Sequence, residues 1–108
     1  LDAAERAPLA PASLEAYARI VPTLSARERI VFGLVCDYLE RTGYADVTGG
    51  ELASWSGQSI LSVRPRLTGL IRKGWLQSGA IRSSRAAGES RCHPVWNVVP
   101  RAAVERGQ

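Results

Sequence analysis

A chain of 108 residues is the size of one domain with a modest core. Its apolar and charged fractions, 45% and 22%, are those of a soluble globular protein, and no run of about 18 apolar residues offers a membrane helix. Charge is unevenly placed: residues 1–56 carry five basic and eight acidic side chains, residues 57–108 nine basic and two acidic, so a basic face and a polyanionic partner are expected.

The opening residues, with Pro8, Pro11 and several alanines, read as a loose arm without the basic front and apolar stretch of a signal peptide. No methionine occurs in the chain, so a trimmed or processed product is expected, with an upstream segment missing. Ser13 starts a short predicted helix closed by Pro22. Ser25 starts a stronger one: Glu28 stands three residues on, as in a capping box, and Gly43 sits where a C-cap glycine belongs. Between them Ile30, Val31, Leu34, Val35, Tyr38 and Leu39 recur at helical spacing.

After the single-strand candidate "ADVT", Thr48 and Glu51 repeat the capping-box pattern and predict a short second helix ended by Gly57. Ser59 is a fresh N-cap. Ile60, Val63, Leu67, Leu70 and Ile71 then give a third helix running to about Lys73, with Gly74 as its stop. "WLQSGAIRSSR" and "SRCHPVWNVV", joined by "AAGE", are rich in β-formers and predict a hairpin. Pro94 cannot donate to a ladder, which makes its strand an edge or places a bulge there.

This order, helix, short strand, helix, tight turn, helix, hairpin, predicts a mainly α protein with a small β wing, an α+β winged helix-turn-helix. The expected organisation is an arm and short helix over 1–24, the winged domain over 25–100 and a tail over 101–108. The spacing from Ala53 through Gly57, Val63, Leu67, Leu70 and Gly74 to Trp75 and Leu76 resembles winged-helix regulators of the MarR and GntR type. The run "SVRPRLTGLIRKGWLQSG", then "RSSRAAG" and a late "VW", is similar to small winged-helix proteins of phages and prophages. That resemblance implies sequence-recognising binding to double-stranded DNA and a role in transcription regulation. The residues "CHP" before the last strand, and a wing a few residues longer, depart from the pattern.

Pro65, between Arg64 and Arg66, is the odd residue of the third helix, since a proline inside a helix costs about 3 kcal/mol. On a helical wheel with Val63 at zero, the apolar residues centre at about 30° and Pro65 falls at about 200°. The proline is therefore expected on the outward ridge with Thr68 and Gly69, a low ridge that lets the backbone approach a surface. Arg64 and Arg66 splay to either side of it.

In the helix-turn-helix reading the third helix enters the major groove. Arg64 or Arg66 would then pair with guanine or hold a phosphate, with Ser59, Leu61, Ser62 and Thr68 nearby and Gln58 in the turn. Arg72 and Lys73 at the helix end complement its dipole or bind the DNA backbone. Arg82, Arg85 and Arg91 are wing candidates for phosphates. Thr48 and Gly50, at the start of the second helix, could present backbone N–H groups to a phosphate.

Trp75 and Trp96 are expected in the core beneath the wing, and Trp55 either packed on the second helix or exposed. One histidine, His93, and two cysteines, Cys36 and Cys92, fall short of a zinc ligand set. No metal, cofactor or enzymatic activity is expected, and the cytoplasm of a bacterial host is the expected compartment. Rival readings are a winged-helix module that binds a host protein and the DNA-binding domain of a replication or recombination protein. The segment Ser13–Val21 is a candidate homodimer arm, or packs back on its own core.

Overall fold

The computed structural model describes residues 24–102. The predicted helix at Ser13–Val21, and with it the candidate dimer arm, lies outside that range, as does the tail beyond Ala102. The described part is mixed α/β: three helices followed by a small antiparallel sheet of short strands.

Helix α1 spans Ala26–Thr42. Ser25 Oγ accepts the Glu28 N–H and the Glu28 carboxylate accepts the Ser25 N–H, the reciprocal capping box expected of that spacing. Gly43, at φ 79°, ends the helix in the left-handed region and returns its N–H to Leu39 O. Helix α2, Gly49–Ser56, carries the second box on Thr48 and Glu51 and stops at Gly57, also at φ 79°. Helix α3, Ile60–Arg72, begins under Ser59, whose hydroxyl accepts the Leu61 N–H. Only Gln58 and Ser59 separate Gly57 from α3, so α2 and α3 are joined by a tight turn.

The hairpin is built in two pieces. At its base β1, Leu76–Ser78, pairs antiparallel with β4, Val95–Asn97; further out β2, Arg82–Ser83, pairs with β3, Arg91–Cys92. Between the pieces three residues, Gly79–Ile81, face two, His93 and Pro94. The ladder thus breaks at the proline, as a residue without an N–H requires. Gly79 closes the gap by donating its N–H to Pro94 O at 2.9 Å. A Cβ on Gly79 would lie 2.9 Å from the Trp96 ring, so glycine is what lets the tryptophan cover this bend. Val47 adds a one-residue bridge to Val95 on the other side.

The core lies where the three helices meet the hairpin base. Val31, Phe32 and Val35 from α1, Leu52 from α2, Val63, Leu67 and Leu70 from α3, and Trp75, Leu76 and Val95 are all buried. Phe32 meets the Trp75 ring edge to face at 5.2 Å. Cys36 is a buried core residue, and burial pushes its thiol up to about 12.

Three expectations about side chains need correction. Ile30 fits the expected α1 periodicity but is 56% exposed, because the face that α1 buries, Val31, Phe32, Val35, Cys36 and Tyr38, points about 150° away from it on the helical wheel. Trp96 is only partly buried, lying over Gly79 rather than beneath the sheet. Gly69 is not on the outward ridge of α3. A Cβ there would stand 2.5 Å from Glu28 Oε2, so its missing side chain admits the N-terminal end of α1.

Candidate functional site

Helix α3 divides into faces as its periodicity predicts. Val63, Leu67 and Leu70 point into the core. Leu61, Pro65, Thr68 and Arg72, at steps of four, three and four, form an exposed ridge. Leu61, 83% exposed, is the most open large apolar side chain on that ridge. Its carbonyl is the acceptor that Pro65 leaves without a helical N–H, and water can reach it. Thr68 Oγ1 donates back to Arg64 O at 3.2 Å. No acidic residue occurs between Ile60 and Arg72. The remaining sequence candidates sit around the ridge: Gln58 and Ser59 are exposed at the turn, and Ser62 and Arg66 are half-buried.

The basic side chains fall into two groups. Of the eight described basic residues in 57–102, five make ion pairs, and four of those five reach acids of the first half of the chain. Lys73 Nζ lies 2.7 Å from Glu28 Oε1, and Arg101 pairs with Asp37. Arg82 grips Glu51 with both terminal nitrogens, each at 2.8 Å, and also reaches Asp46 Oδ1 at 2.9 Å. Arg85 donates its backbone N–H to Glu51 Oε2 at 2.6 Å, reaches Asp46 and Glu51 with its guanidinium and lies 3.6 Å over the Tyr44 ring. The fifth is Arg64, whose Nη2 sits 3.2 Å from Glu89 Oε2.

Arg82 and Arg85 are thus not the free hairpin cations expected from the sequence. They bind the hairpin to α2 by neutralising a buried carboxylate. Glu51 is only 2% exposed at its side chain. Burial alone would raise its pKa. The hydrogen bonds from Arg82, from the Arg85 backbone and from Thr48 outweigh burial and hold it at about 2. The same contact raises the pKa of Arg82. Lys73 likewise serves α1, and its hydrogen bond to Glu28 lowers that carboxyl below its ordinary range.

Arg66, Arg72 and Arg91 form no ion pair among the described residues. Arg64 is 59% exposed at its side chain despite its partner. Arg64 and Arg91 line opposite walls of a cleft of about 410 Å³ between α3 and the hairpin, floored by Leu67, Ile71 and Val95. Pro65 and Thr68 lie on the exposed face of α3 as the periodicity predicts, while the acids that claim the hairpin arginines were not foreseen.

The start of α2 is also occupied from within. Thr48 Oγ1 donates to Glu89 Oε1 at 2.6 Å and the Gly50 N–H to Glu89 Oε2 at 3.1 Å. Of the two N–H groups expected to meet a phosphate, that of Gly50 thus meets the hairpin's own carboxylate and that of Thr48 is taken by Glu51 at 3.0 Å.

Among the described residues no helix is long and apolar enough to cross a membrane. No family model, curated protein or solved structure matches the chain.

Proposed function

We propose that the chain is a winged helix-turn-helix that binds double-stranded DNA, with α3 in the major groove and the hairpin as its wing, in the manner of a small phage-type transcription regulator. The observation that carries this reading is the outward face of α3: an exposed ridge of Leu61, Pro65, Thr68 and Arg72, flanked by Arg64 and Arg66, with no acid anywhere in the helix. The tight α2–α3 turn at Gly57 is the connection such a motif uses.

Each ridge residue has a role there. Leu61 would contact a thymine methyl, and Thr68 an adjacent base edge or phosphate. Arg64 or Arg66 would take guanine O6 and N7, a contact that discriminates by about 1–3 kcal/mol. Arg72 and Arg91 would hold phosphates on either side of the groove.

The number of available cations sets the salt response. With Arg82, Arg85 and Lys73 engaged inside the fold and one of Arg64 and Arg66 on guanine, about three phosphate contacts remain, and log affinity should fall against log salt with a slope of about −3. Selection from a random duplex library tests the reading. One enriched sequence, lost in Arg64→Ala/Arg66→Ala, is the expected result; absence of duplex binding at low salt contradicts it.

A protein partner is the second reading, and one observation favours it. Tyr44 and Trp55 are 47% and 41% exposed and both meet the Tyr38 ring, at 6.1 and 5.4 Å. Half-exposed aromatics of this kind suit protein contacts.

A further inference from the structure

The hairpin tip reaches back across the molecule twice, through Arg85 to Glu51 of α2 and through Glu89 to the start of α2 and to Arg64 of α3. Gly88, at φ 86°, turns the chain so that Glu89 points at α2 and α3. Four donors converge on its carboxylate: Thr48 Oγ1 at 2.6 Å, the Gly50 N–H at 3.1 Å, Arg64 Nη2 at 3.2 Å and Cys92 Sγ at 3.0 Å. Gly50 is what admits it, since a Cβ there would lie 2.5 Å from the Glu89 carboxyl carbon. Arg64 also touches Cys92 Sγ at 3.8 Å, so its guanidinium is drawn along α3 toward the hairpin.

Glu51 and Glu89 both tie the hairpin to α2, but with different permanence. Glu51 is closed off from water and held by the forked guanidinium of Arg82, a geometry that resists exchange. The cation on Glu89 is a largely exposed arginine joined through one nitrogen. A pair of that kind is screened by salt and yields readily to another anion.

We propose that Glu89 is an internal competitor for Arg64: its carboxylate latches the hairpin tip against α2 and α3, and duplex DNA must displace it before Arg64 can reach a base or a phosphate. The latch rests on the DNA-binding reading above. It makes the free protein a closed form and sets a threshold that only a dense polyanion crosses. Glu89 stays ionised at neutral pH: burial would raise its pKa, but hydrogen bonds, those from Thr48, Cys92 and Gly50 among them, outweigh that effect and hold it at about 2.

A double-mutant cycle tests it. Affinity for a short mixed-sequence duplex is measured at several salt concentrations for the parent chain, Glu89→Gln, Arg64→Ala and the pair combined. Glu89→Gln should bind about three- to tenfold tighter than the parent, and that gain should vanish in the Arg64→Ala background. A gain of equal size in both backgrounds reports net charge alone and overturns the latch, as does a folded Glu89→Gln protein that binds no tighter. Glu89→Asp keeps the charge and shortens the reach by one methylene; it should give a smaller gain, and the parent's affinity in this variant overturns the latch even if Glu89→Gln does not fold. Duplex binding by none of these proteins overturns the DNA reading and the latch together, whereas binding without coupling to Arg64 overturns the latch alone.

Discussion

The hairpin and α3 carry three arginines each and divide them differently: two of the hairpin's three are tied to acids of the first half of the chain, and none of α3's is. Arg82 and Arg85 lie within 3.3 Å of Glu51 or Asp46 and act as mortar between the hairpin and α2. Arg66 and Arg72 on α3 and Arg91 at the hairpin edge have no acid to neutralise them among the described residues. An arginine's place in the sequence does not say which kind it is. What decides is whether folding brings a carboxylate within reach, and here α1, α2 and the loop between them supply those carboxylates to the hairpin and the end of α3.

The comparison breaks most visibly at Glu51. Its removal strands two arginines beside a buried gap, so Glu51→Ala should lose about 3–5 kcal/mol of stability in urea titration. A loss below about 1 kcal/mol would mean that the seam is a surface feature. The same carboxylate sets an acid response. Its pKa is about 2 in the folded chain against an ordinary 4.5, so its contribution is full above about pH 5 and lost as pH falls from there toward 2. Thermal melts of Glu51→Gln should accordingly be less stable at neutral pH and flatter in that acid window than those of the parent.

Substituting one arginine of each kind sharpens the contrast. Arg82→Ala should cost stability, about 2–4 kcal/mol, by leaving Glu51 buried with less compensation, yet leave the salt slope of duplex binding unchanged in whatever protein remains folded. Arg72→Ala should do the reverse, with stability unchanged within about 0.5 kcal/mol and the slope reduced by about one. If both variants change the same quantity, the division into structural and available arginines is wrong.

The smallest effect is at Pro65. Its ring stands on the exposed ridge six residues into α3 from Ser59, with the orphaned carbonyl open to water. Pro65→Ala should therefore stabilise the fold by about 1 kcal/mol, well short of the mid-helix figure. Any change in duplex affinity would then report the shape of the ridge.

Much of this fold was legible because its signals are local. Two capping boxes, the Ser59 cap and the stops at Gly43, Gly57 and Gly74 each involve residues a few positions apart, and each stands where the spacing predicts. The face of α3 followed from the 3.6-residue period alone. The break at Pro94 followed from its missing N–H.

The electrostatics were not legible in that way. Arg82 meets Asp46 across 36 residues, Arg85 meets Glu51 across 34 and Lys73 meets Glu28 across 45. No periodicity encodes such distances. The surplus of basic residues in the second half of the chain looked like one basic face; half of its eight described members instead pair with acids of the first half. Gly69 misled for the same reason, since the surface it admits is Glu28 of α1.

The most direct test of the central claim maps where duplex DNA touches the chain. Backbone amide signals are followed by NMR while a short duplex is added at low salt. The account predicts shifts concentrated at Leu61, Ser62, Arg64, Thr68, Arg72 and Arg91, with Glu89 and Gly50 moving as the latch opens and Tyr44 and Trp55 unmoved. Shifts confined to the Tyr44–Trp55 side, or none at any duplex concentration, would contradict it.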